Sequence, residues 1–246
     1  MILSNLSYGE KEHQLLDIYL PDGEETYPVF FYAHGGGLIS GDKTEVKTLA
    51  EYLLSKGVAT VSADYRLYPF ARYPEYAEDF VKAIGWFRER YGDKIRYGVI
   101  GGSSAGAYLA MLLFCNEALL REIGCNREDF KGYLFNAGQP TSHFNYLKTE
   151  KKTDERRVYI DEAAPLYYID KNFSRIGSPR VQFFLAEQDM VNRKEQTELL
   201  IRTMIYFGFP SNRLYFKQFD GYSHCCYLTE PAYHQAVYTF IKKCEE

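Results

Sequence analysis

The sequence predicts an α/β fold, a mostly parallel twisted sheet with helices on both faces. Three observations carry this. Short, almost unbroken apolar runs recur along the 246 residues, as strands buried on both faces require. Between them lie segments of ten or more residues with apolar side chains at helical spacing. Glycine-rich turns fall where a strand candidate hands over to a helix, the punctuation of βαβ units.

Residues 14–20 (QLLDIYL) are the first strand candidate, closed by Pro21-Asp22-Gly23. Residues 28–34 (PVFFYAH) are a nearly continuous apolar run and read as a buried parallel strand. A glycine-rich turn follows, then a helical stretch over about 44–55 and a strand over 57–65 (GVATVSADY). Phe80, Ala83, Ile84 and Phe87 fall at helical spacing within 76–90. The strand RYGVIGG (96–102) leads into a helix starting near Ala105. Residues 132–138 and 179–187 are two more buried strands, 193–207 an amphipathic helix, 212–219 an alternating strand and 231–243 a closing helix. The segment over about 139–180 breaks the rhythm, with a charged middle (KTEKKTDERR) and aromatics at both ends. In an open parallel sheet such insertions sit above the C-terminal strand edge, where ligands bind. A small cap is therefore expected there, within one domain spanning 1–246.

Composition narrows the function. A formal charge of −4 gives no basic surface for nucleic acid or an anionic membrane. Five cysteines without a CxxC pair read as free thiols in a reducing compartment. The N-terminus lacks a basic and then apolar leader, and no run approaches the ~18 apolar residues of a membrane span. A cytoplasmic location is the expectation, with a homodimer left open. The 23 tyrosines suit cores and polar pockets equally.

Residues 101–106 (GGSSAG) contain Gly102-x-Ser104-x-Gly106 between a predicted strand and a predicted helix. That context gives the spacing its meaning: a serine pointing its hydroxyl off the sheet needs an unfavourable backbone, and only very small residues fit two before and two after it. The turn also presents the Ala105 N–H at a helix N-terminus, where developing negative charge is favoured. Ser103 is a rival by identity but has alanine, not glycine, two residues on.

A serine hydroxyl needs a base, usually a histidine oriented by a carboxylate. Of five histidines, His224 lies after the last predicted strand, on the sheet edge that carries Ser104. His13 reads as a surface residue, His34 as a brace for the glycine turn, His143 as part of the insertion and His234 as a helix residue. Asp189, just after a buried strand, is the acid candidate, with Glu187 and Asp220 as alternatives. Three glycines after a buried strand (HGGG, 34–37) free the backbone to aim the N–H groups of Gly36 and Gly37, with that of Ala105, at one oxyanion. Leu38, Phe144, Tyr146, Tyr167, Tyr168 and Tyr222 are expected to line the mouth. Nothing in the residues calls for a metal or an organic cofactor.

The motifs HGGGLISGDK (34–43), DYRLYP (64–69), GGSSAGA (101–107), AAPLYYI (163–169), AEQDMV (186–191) and GYSH (221–224) together resemble the α/β-hydrolases. Within them the chain resembles the hormone-sensitive-lipase-like branch and the compact bacterial acetyl-xylan and feruloyl esterases. The resemblance implies an α/β-hydrolase fold, a triad of Ser104, Asp189 and His224, and an oxyanion hole at Gly36, Gly37 and Ala105. It also places Tyr68 in the pocket wall, where an alanine is more usual, and leaves the pocket covered by the 139–180 insertion alone. The implied reaction is hydrolysis of small ester substrates with short acyl groups, acetyl or feruloyl on carbohydrate. An amide-cleaving relative and a non-catalytic binding protein on the same fold are the alternatives.

Overall fold

The computed structural model describes residues 1–171, 173 and 179–246; within the expected cap, residues 172 and 174–178 lie outside the described residues. Eight strands form one sheet: β1 (Ile2–Ser7), β2 (Leu15–Tyr19), β3 (Tyr27–Ala33), β4 (Ala59–Ala63), β5 (Ile95–Ser103), β6 (Phe130–Asn136), β7 (Arg180–Gln188) and β8 (Leu214–Ser223). Their order is β1-β2-β4-β3-β5-β6-β7-β8. β1–β2 and β2–β4 pair antiparallel, and every pair from β4 to β8 is parallel. The order reverses between β3 and β5: the chain steps outward from β3 to β4, then returns to the other side of β3. At such a reversal the connections leave in opposite directions and open a crevice at the strand C-termini. Here the crevice lies between the end of β3, at the glycine turn, and the end of β5, at Ser104.

Strand alternation explains the two covering layers. On β3, Val29, Phe31 and Ala33 face one core and Phe30 and Tyr32 the other. Against the first lie Phe80, Ile84 and Phe87 of α2 (Glu75–Tyr91), Leu109 and Leu113 of α3 (Ala105–Cys115), and Leu200 and Met204 of a helix over Arg193–Tyr206. Against the second lie Leu49 and Leu53 of α1 (Lys47–Leu54) and Val237 and Phe240 of a helix over Pro231–Lys243. Every residue of α3 is buried, so this helix carries no polar face and sits between sheet and neighbours.

Four differences from the sequence reading have physical reasons. β1 was not predicted, because it is an edge strand whose six residues are all exposed or half-buried. The helix expected from about 44 opens with a 3-10 turn, Lys43–Val46, before α1. A short α4 (Glu117–Arg121) follows α3 directly. The insertion holds α5 (Phe144–Thr149), then a 3-10 turn over Pro165–Tyr168, around a small core of Tyr146, Leu147 and Ala163. The remaining helices are α6 (Arg193–Tyr206) and α7 (Pro231–Lys243).

Candidate active site

Ser104 stands alone between β5 and α3, with φ 52° and ψ −111°. A non-glycine residue in this region costs about 1–3 kcal/mol and persists only where its surroundings hold it. Two bonds do so: Ser104 N–H donates to the Asn136 carbonyl at 2.8 Å, and the Ser104 carbonyl accepts from Tyr108 N–H at 3.0 Å. The flanking glycines are dictated by backbone. A Cβ on Gly102 would lie 2.5 Å from the Ala33 carbonyl oxygen, and one on Gly106 only 2.0 Å from it. Ser103 is turned beneath, buried, donating to Cys225 Sγ and accepting from Asn136 Nδ2, both at 3.3 Å. Burial pushes the Cys225 thiol up to about 12, which keeps this neighbouring sulfur protonated.

The end of β8 brings His224 over Ser104, with Nε2 to Oγ at 2.9 Å. Its Nδ1 lies 2.6 Å from Asp189 Oδ1. Asp189 follows β7, and its carboxylate also accepts from the N–H groups of Met190 (2.7 Å) and Ala186 (3.1 Å). Burial works to raise the Asp189 carboxyl, but the hydrogen bonds from His224 and the two amides prevail and hold it below its ordinary value. The side chains of Asp189 and His224 are 4% and 24% exposed, so the acid is covered while the imidazole reaches solvent and substrate. The alternatives face elsewhere: Glu187 accepts from Gly221 N–H, and Asp220 from Gln218 Nε2. His13 is exposed, His234 on α7 is bound to the carbonyl of Leu228 before that helix, and His143 is buried as the N-cap of α5. Burial holds His34 below its ordinary value. It stacks on Tyr65 at 4.4 Å, with Nδ1 2.7 Å from the Gly35 carbonyl, and so braces the glycine turn.

That turn is fixed by its carbonyls. Gly36 and Gly37 have φ 104° and 66°. The Gly36 carbonyl accepts from Ser40 N–H at 3.0 Å, and the Gly37 carbonyl from Asn145 Nδ2 at 2.6 Å. In a trans peptide the N–H opposes the C=O. Pinning the Gly35, Gly36 and Ser104 carbonyls therefore aims the N–H groups of Gly36, Gly37 and Ala105 the other way. Among the described residues none of these three N–H groups has an acceptor. The turn meets the serine closely, since a Cβ on Gly35 would lie 3.5 Å from Ser104 Cβ.

Sequence reasoning missed the residues that hold this turn. Glu45 accepts the Gly35 N–H at 2.9 Å and the Tyr32 hydroxyl at 2.7 Å. Asp64 accepts Lys43 N–H at 2.6 Å, and Tyr65 donates to the His34 carbonyl at 2.9 Å. The DYRLYP motif thus clips onto HGGGLISGDK, a signal present in the sequence but without an assigned partner there.

The expected wall needs correction. Tyr146 is buried with its hydroxyl on Asp161 (3.1 Å), and Tyr168 is spent on the Glu162 carbonyl (2.6 Å); both frame the insertion from within. Tyr167 is exposed against Tyr168, and Tyr222 packs edge-on to Tyr227. Leu38 is core, at φ 67°, and Tyr68 donates its N–H to the Leu38 carbonyl and flanks a separate depression with His34 and Ile39. Phe144 does line a cleft, of about 500 Å³, together with Gln139, Met190, Val191, Arg193 and Gln196. Its ring would lie 3.7 Å from a Cβ on Gly37, which puts the cleft beside the glycine turn.

Solved structures share this arrangement of strands over the full chain. Esterase B from Lactobacillus rhamnosis superposes with a TM-score of 0.79 at 18% identity, over 100% of this chain and 85% of that one. The chain has the α/β-hydrolase fold. A second solved structure, the bifunctional GH43-CE of Bacteroides eggerthii, aligns with a TM-score of 0.75 at 20% identity, over 100% of this chain and 35% of that one. In sequence, the family model BD-FAE matches residues 16–131. Esterase LipC of Mycobacterium tuberculosis is 30% identical over 111 residues, 43% of this chain and 28% of the relative, so the match spans well under half of LipC. Among the described residues no helix is long and apolar enough to cross a membrane, and no three His, Cys, Asp or Glu gather as metal ligands.

Proposed function

We propose that the chain is a serine carboxylesterase that hydrolyses short-chain acyl esters, acetyl or feruloyl groups on carbohydrate among them. One observation carries the reading: a continuous line of hydrogen bonds runs from Ser104 Oγ through His224 to Asp189, at 2.9 and 2.6 Å. Asp189 holds the proton on Nδ1, which leaves Nε2 as the acceptor facing the hydroxyl. Ser104 Oγ attacks the acyl carbon while Nε2 takes its proton. The carbonyl electron pair moves onto oxygen, met by the N–H groups of Gly36, Gly37 and Ala105, each worth about 3 kcal/mol in the transition state. The carbonyl reforms as the C–O bond to the alcohol breaks and His224 protonates the leaving oxygen. Water, deprotonated by His224, then releases the acid from the acyl-enzyme. The esterase names of LipC and Esterase B support the reaction class. The short-acyl preference is supported by the wall, in which Phe144, Met190 and Val191 supply only a short apolar face.

Ser104→Ala is the direct test. Hydrolysis of p-nitrophenyl acetate is expected to fall to background in a variant that melts like the parent, with labelling by a fluorophosphonate lost as well. Undiminished turnover in that variant would remove the serine mechanism.

A further inference from the structure

Arg193 opens α6 and is 4% exposed. Buried guanidinium groups are ordinarily matched by a carboxylate. Among the described residues the Arg193 side chain makes one hydrogen bond, to Met190 Sδ at 3.4 Å, and no carboxylate oxygen stands within 4.0 Å of it. It borders the cleft beside the glycine turn, whose other charged residues are Arg156, Arg157 and Glu155. Glu155 is met by Lys148 at 3.2 Å and Arg156 by Asp154 at 2.7 Å, while among the described residues the Arg157 side chain hydrogen-bonds only to Thr153 Oγ1, at 3.3 Å. Gln196 Oε1 is taken by Thr141, which leaves its Nε2 as a further donor on the same wall. The N-terminus of the 14-residue α6 ends at this place, and Asn192 gives it no side-chain cap. First-turn amides there favour negative charge. Burial pulls the Arg193 guanidinium down to about 10, partly offset by Asp189, so it remains charged at neutral pH.

Met190 and Val191 follow Asp189 directly, and Phe144 touches the glycine turn, so the cleft adjoins the ester-binding position. We infer that it is an anion subsite, and that the preferred ester carries a carboxylate on its acyl or its alcohol part, held by Arg193 with Arg157 at the rim. This rests on the esterase reading. Arg193 is then a specificity residue: it binds a remote group and leaves the chemistry of Ser104 unchanged.

Two pairs of esters separate the sources. Methyl hydrogen succinate against methyl butyrate places the charge on the acyl side; O-acetyl-lactate against isopropyl acetate places it on the alcohol side. In one pair, kcat/KM for the anion is expected to exceed that for the neutral ester by about tenfold to a hundredfold, as charge-assisted hydrogen bonds give, and to fall with added salt. Arg193→Met should bring the two esters of that pair within about threefold, the size left when a single charged contact is removed, with turnover of the neutral ester preserved. Arg193→Lys should retain part of the preference and stands in if the methionine variant does not fold. Equal rates in both pairs, or an Arg193 variant that lowers neutral and anionic esters alike, would overturn the subsite. If neither the neutral nor the anionic ester of either pair is hydrolysed, the esterase reading fails, and calorimetric titration of Ser104→Ala with methyl hydrogen succinate decides the subsite alone. Binding lost in Ser104→Ala/Arg193→Met supports it; no binding to Ser104→Ala overturns it.

Discussion

Asp189→Asn tests the role of the carboxylate with little change in shape. Oδ1 receives His224 Nδ1 and Met190 N–H, and Oδ2 receives Ala186 N–H. An amide cannot satisfy this pattern. With its oxygen toward His224, its NH2 opposes the Ala186 N–H at 3.1 Å. Flipped, its NH2 opposes Met190 N–H and donates to Nδ1, which moves the imidazole proton to Nε2. In that tautomer His224 meets Ser104 with a donor and has no lone pair for the hydroxyl proton. Both arrangements also remove the negative charge that, in the proposed mechanism, would stabilise the imidazolium formed during attack. The expected loss in kcat for p-nitrophenyl acetate is about four orders of magnitude, or about 5 kcal/mol of barrier. Steady-state kinetics at neutral pH measure it, with near-ultraviolet circular dichroism to confirm the fold. A loss below tenfold with the fold intact would refute the assignment. Stability gives a second readout. The carboxyl is held below its ordinary value, so its contribution is fully present above about pH 4, the ordinary carboxyl range, and is lost as the pH falls through the lower native value. Acid unfolding of Asp189→Asn should lack that component.

Four other outcomes are expected. Gly106→Ala would place a methyl 2.0 Å from the Ala33 carbonyl oxygen; urea denaturation should show a loss above about 2 kcal/mol. Gly92→Ala, with open space at its Cβ, should stay within about 0.5 kcal/mol. Across p-nitrophenyl esters from acetyl to decanoyl, kcat/KM should peak at acetyl to butyryl, and a maximum at decanoyl would contradict the short wall. His143 is pushed down to about 3 by burial first and by the Arg193 and His224 charges next. A histidine kept neutral in the native state contributes stability that is present above its unfolded value and is lost as the pH falls below it. Between about pH 8 and pH 5 the wild type should therefore lose about 2 kcal/mol more than His143→Asn, which keeps a cap acceptor for α5; matched stability curves would remove the claim.

The legible parts of the molecule were those written in local pattern. β3, β5, β6 and β7 are apolar runs because helices cover both faces, and runs of that kind announce themselves. The turn at Ser104 was legible because its glycines answer to backbone contacts that no other residue tolerates. The wall was not. A tyrosine has an apolar ring and a polar tip, and Tyr146, Tyr167 and Tyr168 stand buried, exposed and hydrogen-bonded within one short insertion. Glu45 and Arg193 were hidden for another reason. Charged residues flanking helices read as solvated until tertiary structure brings the Gly35 amide to one and closes the cleft over the other.

Asn136 explains how two distant loops meet in register. Its backbone carbonyl, at the end of β6, takes the Ser104 N–H at 2.8 Å and so supports the strained turn from below. Its side chain reaches the other way: Oδ1 accepts the Tyr227 hydroxyl at 2.5 Å, and Nδ2 donates to Ser103 Oγ at 3.3 Å. Tyr227 is fully buried, stacked on Phe219 of β8 at 4.2 Å, three residues beyond His224. Cys225, next to His224, accepts from Ser103 Oγ at 3.3 Å. The serine turn and the histidine loop are thus both anchored on one residue of β6, beneath the Ser104–His224 hydrogen bond. Because buried bonds of this kind are costly to leave unmade, the separation of hydroxyl and imidazole is set by the floor of the site. Removing the Ser104 hydroxyl should therefore leave His224 and the glycine turn in place, so that under the proposed mechanism Ser104→Ala would still bind an ester it could not cleave.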